Sequence, residues 1–317
     1  MRRALVAPAI AVASLVATEA SADEVVAEPL PVMASVEIVR GFRNVAPRAA
    51  GAIAEEEELE ESDPRETQGL SVVADAEIRV SRHFRLGARV PVSAASFLFS
   101  ARDEDDAASV GNFELAPQYT TDLRKGLRFA CELGVAFPTA TGDEFGEGAE
   151  SRRHAYANLA SARFRGFRDN ALFASHRLGF VPMTVLELRS DDVEVDGFVK
   201  LEVLERAGGA APSEALGRVN ASAVESVFGG RVETGRRLSP YVHLGMQSWL
   251  AYTLVGEVKH PERAGVQPSA PLQIVVEPQV AMTSGHFRSM LGMLVPVGGP
   301  LGDWHYLAAR FAVSLEM

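Results

Sequence analysis

The chain has 317 residues, of which 47% are hydrophobic and 23% charged, and its formal net charge is −11. This acidic balance excludes nucleic acid as a bulk partner, because nucleic-acid binding needs a basic surface. The sequence contains no apolar run long enough for a transmembrane helix, which excludes a helical protein that spans the membrane several times. Cys131 is the only cysteine, so the fold cannot rest on an internal disulfide.

The first 22 residues have the three-part pattern of a secretory signal peptide. Two arginines follow the initial methionine, an apolar stretch runs from 4 to 16, and Ala20-Ser21-Ala22 forms a cleavage site of the Ala-x-Ala type. The apolar stretch is too short to cross the hydrocarbon core, which argues against a membrane anchor. We therefore predict export, with a signal peptide over 1–22 and a single domain over 23–317.

Period-two alternation of apolar and polar residues begins at Leu70, and only a β-strand places such residues on opposite faces. Four alternating segments follow one another between 70 and 137, and short polar links near Arg82 and Arg124 join them in pairs. Each segment is about as long as a strand that crosses an outer membrane at a tilt. Their apolar faces are Leu70, Val72, Ala74, Ala76, Ile78 and Val80, then Phe84, Leu86, Ala88, Val90 and Val92, then Phe113, Leu115, Pro117 and Tyr119, and finally Leu127, Phe129, Cys131, Leu133, Val135 and Phe137.

The alternation returns in three later segments, which begin near Val193, Leu272 and Tyr306, and the last of them reaches Met317. Weaker strand candidates are 33–42, 155–164, 171–181, 218–228, 240–252 and 287–297. Because single-chain bacterial barrels have an even number of strands, we predict about twelve, with a range of roughly ten to fourteen. We place the counting error between 182 and 217. The neighbouring stretch 213–227 also fits a helix by composition.

Long alternating segments and a signal peptide together predict an all-β fold, namely a transmembrane antiparallel up-and-down β-barrel of the outer membrane. A soluble periplasmic β-protein also alternates and remains the rival fold. In the barrel, the apolar faces contact lipid and the polar faces point into the lumen. The lumen-facing candidates are Glu77, Arg79, Arg89, Glu114, Arg128, Glu132, Lys200, Glu202, Glu277 and Arg310.

Two classes of connection predict the orientation of this barrel. Short links lie near Arg82, Arg124, Asp169, Arg236 and Gly285. Longer and more polar links are 43–68, 101–109, 138–153 and 256–271. Outer-membrane barrels have short turns in the periplasm and long loops outside, so both termini are expected in the periplasm.

Three short stretches resemble a known family. They are HFRLGARVPV at 83–92, GNFELAPQY at 111–119 and LGVAFPTATGD at 133–143, with a looser likeness at 291–297. These stretches are similar to segments of the outer-membrane barrels of the phenol-degradation meta-pathway transporter family. The resemblance implies a barrel with a transport role. It implies neither a particular solute nor particular functional residues.

Nothing in the sequence predicts an enzyme, a metal site or a cofactor site. The histidines at 83, 154, 176, 243, 260, 286 and 305 are dispersed and form no His-x-x-x-His pattern. A Gly-x-Ser-x-Gly elbow and a phosphate-binding loop are both missing. An active site assembled from separate strands would leave no linear motif, so an enzyme stays an open alternative without support.

Two acidic runs fall on predicted outer loops, at 55–61 with Asp63 close behind and at 103–106. Blocks of like charge favour a solvated loop. Carboxylate oxygens on such loops would also hold divalent cations and bridge to anionic lipopolysaccharide.

The leading functional hypothesis is a porin-like channel or transporter for small solutes, including hydrophobic ones. The alternative is a structural or surface-interaction barrel, with a lumen filled by side chains and acidic outer loops that bind partners. The expected partners are outer-membrane lipid, lipopolysaccharide and a small solute, and the oligomeric state is left open.

Overall fold

The computed structural model describes residues 32–44, 66–100, 103–143, 148–190, 193–209, 224–255, 272–303 and 305–317. The predicted signal peptide and the acidic run at 55–61 lie outside these residues. Thirteen β-strands and three helices are described: β1 (Val32–Asn44), β2 (Glu66–Arg79), β3 (Phe84–Ser100), β4 (Asp103–Val110), β5 (Glu114–Arg124), β6 (Leu127–Ala136), α1 (Ala149–Phe164), α2 (Asn170–Phe173), β7 (Arg177–Arg189), β8 (Val193–Arg206), β9 (Val224–Arg237), β10 (Val242–Val255), β11 (Leu272–Ser284), β12 (Phe287–Gly298), α3 (Pro300–Asp303) and β13 (Tyr306–Glu316). Within the described ranges, no helix has the length and apolar character needed to cross a membrane.

The strands form one closed antiparallel barrel. Apart from β4 and β5, each strand pairs with its neighbours in the chain, and β1 closes the ring by pairing with β13. The first half of β3 pairs with β5 and its second half pairs with β4, so β4 and β5 together occupy a single position in the wall. The barrel therefore has twelve strand positions, and the prediction of an antiparallel barrel of about twelve strands is confirmed.

Side chains alternate between the outside and the interior along every clear strand. In β12, Leu291 is 55% exposed on the outer surface, whereas Gly292 and Leu294, which lie on the opposite face of the strand, are buried. The apolar faces predicted for the segments between 70 and 137 all lie on the outside. Exposed large apolar residues recur around the whole ring, from Val36 in β1 to Phe311 in β13. So wide an apolar surface matches lipid better than water.

Short turns cluster at one end of the barrel, which we call the turn end, and the opposite end is the loop end. The described turns between paired strands are 80–83, 125–126, 238–241 and 285–286. Strands β7 and β8 meet at the same end, where Arg189 pairs with Glu194. The described chain also begins and ends at the turn end, where the Val32 amide donates to the Met317 carbonyl over 3.1 Å. A common end for all short turns follows from the up-and-down topology.

The sequence interpretation is wrong between 155 and 181. Residues 155–164, predicted as a strand, belong to helix α1, and the strand predicted at 171–181 begins only at Arg177. Asp169 therefore lies in the barrel interior and not in a short turn. The uncertainty in the predicted number of strands arose here, because 155–164 had been counted as a strand. In the range 182–217, β7 and β8 pair regularly.

One predicted loop and one predicted strand also differ from the structure. Most of 101–109 is strand β4, which pairs with β3 up to Ser100, so the acidic residues 103–106 extend the barrel wall. The strand predicted at 218–228 starts at Val224 in the described residues and continues to Arg237. Most of the stretch 213–227, which fitted a helix, lies outside the described part of the chain.

Candidate functional site in the barrel interior

The described part of the connection between β6 and β7, residues 137–143 and 148–176, folds into the barrel, and we call it the plug. Helix α1 packs against β1, β2, β3, β4 and β13, whereas the short helix α2 packs against β3, β7 and β8. Small side chains make this fit possible, since Ala155, Ala157, Ala160 and Ala162 are all buried. The plug thus occupies the loop-end half of the interior.

The local sequence explains why this segment is helical. Alanine and arginine are the most frequent residues of AESRRHAYANLASARF, and both have high helix propensity. A segment enclosed by the barrel must also satisfy its own backbone groups, which a helix does internally. The helix ends in a tight reversal, where Gly166 and Phe167 have φ angles of 68° and 58°. A Cβ atom on Gly166 would overlap Trp249 and Val275 in the wall, so only glycine fits there.

Asn112 anchors both ends of the plug to the wall between β4 and β5. Its fully buried side chain donates from Nδ2 to the carbonyls of Ala171 at 2.8 Å and Ala174 at 2.7 Å. Its Oδ1 accepts from the Ala140 amide at 2.9 Å. The Asn112 amide also donates to the Leu172 carbonyl at 2.6 Å. One side chain therefore holds the entry and the exit of the plug close together.

A second polar cluster fixes helix α1 against β3 and β4. Asn158 Oδ1 accepts from Ser93 Oγ at 3.0 Å, and Asn158 Nδ2 donates to Ser109 Oγ at 2.8 Å and to the Thr141 carbonyl at 3.1 Å. Asn158 and Ser93 are both fully buried. Because buried polar groups are costly when unpaired, this network favours one position of α1.

Two arginines at the inner tip of the plug converge on a single wall carboxylate. Arg165 Nη2 lies 2.5 Å and Arg168 Nη2 lies 2.8 Å from Glu37 Oε1 in β1. Asp169 lies between the same two arginines, with Oδ2 2.7 Å from Arg165 Nη2 and 3.2 Å from Arg168 Nε. Burial opposes the ionisation of Asp169, but Arg168, Arg165 and Lys200 outweigh it and hold the pKa of this carboxyl well below its usual range.

Lys200 and Arg310 join the wall to the same network. Lys200 Nζ is 2.6 Å from Glu202 Oε1 and also donates to the Arg168 carbonyl of the plug. Arg310 Nε is 2.6 Å from Glu277 Oε1, and its Nη1 is 3.0 Å from Glu37 Oε2. The tip of the plug and the wall thus share an ionic cluster, in which each of these cations has an acidic neighbour.

A separate cluster lies on the wall around Arg89. Its three nitrogens contact Asp75 at 2.9 Å, Glu114 at 2.8 Å and Glu132 at 3.2 Å. Three carboxylates around one guanidinium leave this part of the interior acidic.

The predicted lumen-facing residues divide into groups in the structure. Arg89, Glu114 and Glu132 form one cluster, Lys200 pairs with Glu202, and Glu277 pairs with Arg310. Toward the turn end, Glu77 pairs with Arg85, and Arg128 lies near Asp122 and Glu187. Arg79 is exposed at the end of β2.

The sequence interpretation missed the residues that hold the plug. Arg165, Arg168 and Asp169 fell in a supposed short link, and Glu37 fell in a weak strand candidate. Asn112 belongs to the GNFELAPQY stretch and Thr141 to the LGVAFPTATGD stretch that carried the family resemblance. A run of charged residues inside an alanine-rich segment was the signal that could have indicated an inserted helix.

Toward the turn end, the interior contains an open pocket with about 530 Å³ of empty space, which includes open solvent. Its lining includes Glu187, Glu194, Asp196, Glu233, His243 and Arg288. A smaller space of about 220 Å³ lies beside the plug tip, between Phe167, Phe198 and Trp249. Among the described residues, no group of three or more histidine, cysteine or acidic side chains could hold a metal ion.

Comparisons with known proteins support the fold. No family model and no curated protein sequence matches the chain. Its structure is similar to that of the COG4313 outer membrane channel from Pseudomonas putida F1, with a TM-score of 0.55 and 10% identity over 94% of this chain and 100% of that one. The NanC porin has a TM-score of 0.49 and 7% identity over 89% of this chain and 100% of that one. A mutant of the TodX monoaromatic hydrocarbon channel has a TM-score of 0.44 and 7% identity over 91% and 90% of the two chains.

Proposed function

We propose that this barrel is an outer-membrane channel for small solutes, and that the plug closes it in the conformation described above. The observation that carries the proposal is a closed barrel with an apolar exterior and a charged interior, blocked by an inserted segment. The structural likeness to an outer membrane channel supports it. The resemblance to transporters of phenol degradation stays a prediction, and it is the reason to include hydrophobic solutes among the candidates.

The bonding of the plug is consistent with a reversible closure. Polar side chains and ion pairs such as Arg168–Glu37 hold its ends and its tip. Segments held in this way open locally more easily than the strands of a barrel, whose backbone bonds break only together. Access would follow from a shift of the plug while the wall stays intact.

A variant without the plug tests this function. Asn112 holds Ala140 and Ala174 close together, so a linker of about four glycine and serine residues can replace 143–174. We expect this variant to conduct ions and to pass small solutes into liposomes at a much higher rate than the wild-type protein. The matched control replaces the exposed turn 238–241, far from the plug, with a glycine- and serine-rich turn, and should conduct like the wild type. If the plugless variant forms a heat-modifiable barrel and still conducts nothing, a channel function is wrong.

The two kinds of connection also indicate how the barrel is oriented in the outer membrane. Short turns belong in the periplasm of an outer membrane and longer connections belong outside. We therefore place the turn end in the periplasm and the plug near the cell surface. A tag inserted in the 238–241 turn should be inaccessible on intact cells, and one inserted between β10 and β11 should be accessible.

A structural or surface-interaction barrel is the second candidate, and the filled loop-end half of the interior favours it. Contact with lipopolysaccharide through divalent cations on the acidic run at 55–61 belongs to this candidate. It predicts no flux in either the wild-type or the plugless protein. Deletion of 55–61 would then weaken binding of lipopolysaccharide in the presence of calcium.

A further inference from the structure

Arg168 of the plug occupies a pocket that the barrel wall provides. Its Nη2 donates to Glu37 Oε1 at 2.8 Å, and its Nη1 donates to Gln247 Oε1 at 3.4 Å. The guanidinium carbon lies 5.6 Å from the centre of the Trp249 ring. Glu37 comes from β1, whereas Gln247 and Trp249 come from β10. We call these three wall residues the guanidinium pocket.

The three groups form a recognition set for an organic cation. A carboxylate makes a charge-assisted hydrogen bond to an N–H donor, an amide oxygen accepts a second one, and an indole face attracts a delocalised cation. The wall holds two of the groups in place without the plug. Arg310 Nη1 donates to Glu37 Oε2 at 3.0 Å, and Gln247 Nε2 donates to Glu233 Oε2 at 3.1 Å.

The pocket would stay acidic after the plug moved. Arg165 and Arg168 would leave with the plug, whereas Glu37 and Glu277 would remain and share Arg310. Glu277 is fully buried, and its Oε2 has no hydrogen-bond partner among the described residues. Once the plug has moved, these carboxylates would favour the binding of another cation, because an uncompensated buried charge is costly.

We propose that the guanidinium pocket is a binding site for cationic solutes that carry a guanidinium or a primary ammonium group, and that Arg168 occupies it as an internal competitor. A solute of this class that enters from the turn end replaces Arg168 and releases the tip of the plug. The proposal rests on the proposed channel for its biological use, but binding itself does not require conduction.

Trp249 makes the test direct. The chain has two tryptophans, so Trp304→Phe leaves Trp249 as the only one, within the pocket itself. In this background Arg168→Ala removes the guanidinium that contacts Gln247 and Trp249, while Arg165 remains in contact with Glu37. Titration of the purified barrel with ethylguanidinium should give a saturable change in tryptophan fluorescence. Urea, which is planar and neutral, should give none at the same concentrations.

Two further variants separate the pocket from non-specific effects. Glu37→Gln added to Arg168→Ala removes the charge, and ethylguanidinium should then bind at least about tenfold more weakly. The Trp304→Phe barrel with Arg168 intact should also bind at least about tenfold more weakly than the Arg168→Ala barrel, because a tethered guanidinium competes at high effective concentration. A heat-modifiable mobility shift confirms that each barrel is assembled, and Arg168→Gln replaces Arg168→Ala if the alanine variant does not assemble.

The absence of saturable ethylguanidinium binding to the Arg168→Ala barrel would overturn the proposal. Equal binding of urea, or an ethylguanidinium affinity that Glu37→Gln leaves unchanged, would overturn it as well. The channel function is tested by a different measurement. A plugless barrel that conducts nothing contradicts the channel function, even if the guanidinium pocket binds its cation.

Discussion

At the residue scale, paired charges decide how the interior is arranged. Arg310 is 4% exposed and contacts Glu277, Glu37, Gln247 and Gln279. A buried ion costs several kcal/mol in desolvation, which a well-placed partner offsets. The same rule applies to the plug tip, because Arg165 and Arg168 enter the barrel only where acidic partners meet them. The position of the plug is therefore set by charge as much as by packing.

Asp169 gives a pH prediction at this scale. Arg168, Arg165 and Lys200 hold its pKa well below the usual value of 3.8 in the folded protein. A depressed carboxyl pKa contributes stability that is fully present above the unfolded pKa and is lost as the pH falls through the folded pKa. Asp169→Asn should therefore lower the free energy of unfolding by about 1.5–3 kcal/mol at neutral pH, because it removes one of the two carboxylates that Arg165 and Arg168 share.

Urea unfolding in detergent at several pH values measures this difference. The gap between the wild type and Asp169→Asn should be constant above about pH 5 and should narrow below about pH 3.8. Asp122→Asn is the control, because the Asp122 side chain is 74% exposed and its pair with Arg128 is screened by solvent. A gap that widens toward acid pH would contradict the assignment of Asp169.

At the scale of elements, the plug contains a helix, α1, whose second half, 157–164, meets protein on nearly all sides. It faces five strands, and polar residues such as Asn158 and Arg163 are buried beside its alanines. Its attachment depends on a break in the wall, because 111–113 interrupts the strand formed by β4 and β5. The break turns Asn112 into a bridge between the two ends of the plug.

Asn112→Ala should loosen the plug without opening the barrel. The change leaves the carbonyls of Ala171 and Ala174 and the amide of Ala140 without this partner, and each unpaired buried group costs about 1–3 kcal/mol. We expect faster proteolysis within 137–176 in the assembled barrel. Limited proteolysis followed by mass spectrometry locates the cut.

Gln68→Ala is the matched control, because Gln68 is exposed on the outer face of β2. The plug of the Gln68→Ala protein should be cleaved at the wild-type rate. Equal protection of the plug in wild type and Asn112→Ala would show that Asn112 is not an anchor, and loss of the heat-modifiable barrel would show that it supports the wall instead.

At the scale of the whole molecule, the barrel has apolar residues outside and charges inside. A soluble β-protein has the opposite arrangement, since its apolar faces pack against each other. Leu291, Met246 and Val232 are each more than half exposed on the outer surface. Only a lipid environment makes this surface favourable, which is why the fold and the proposed location depend on each other.

Leu291→Arg tests this environment. An arginine on the lipid face near the middle of the membrane costs about 2–4 kcal/mol, whereas the same residue on a surface in water would cost almost nothing. The variant should assemble poorly in lipid vesicles, as measured by the fraction of heat-modifiable protein. Leu238→Arg is the control, because Leu238 is 59% exposed in a turn at the barrel end. Equal assembly of both variants would favour the soluble alternative.

Much of the barrel could be predicted from the sequence because its strands carry a strong period-two signal. The apolar faces of the segments from Leu70 to Val80 and from Leu307 to Met317 point to lipid, as predicted. An even number of strands follows from the closure of an antiparallel barrel. The signal fails for α1. The second half of α1 is buried on nearly all sides, so it has no water-facing side and its sequence has no amphipathic period to detect. Its alanines and interspersed polar residues resembled a weak strand instead.

The sequence by itself determined the strand faces, because lipid and the interior impose opposite demands on successive residues of each strand. Only the tertiary structure decided which charges meet. Glu37 and Arg310 are 273 residues apart in the chain, and closure of β1 on β13 brings them within 3.0 Å of each other. The plug adds Arg168 to the same place. Such contacts depend on the closure of the ring and on the insertion of one connection, and the local pattern of residues encodes neither.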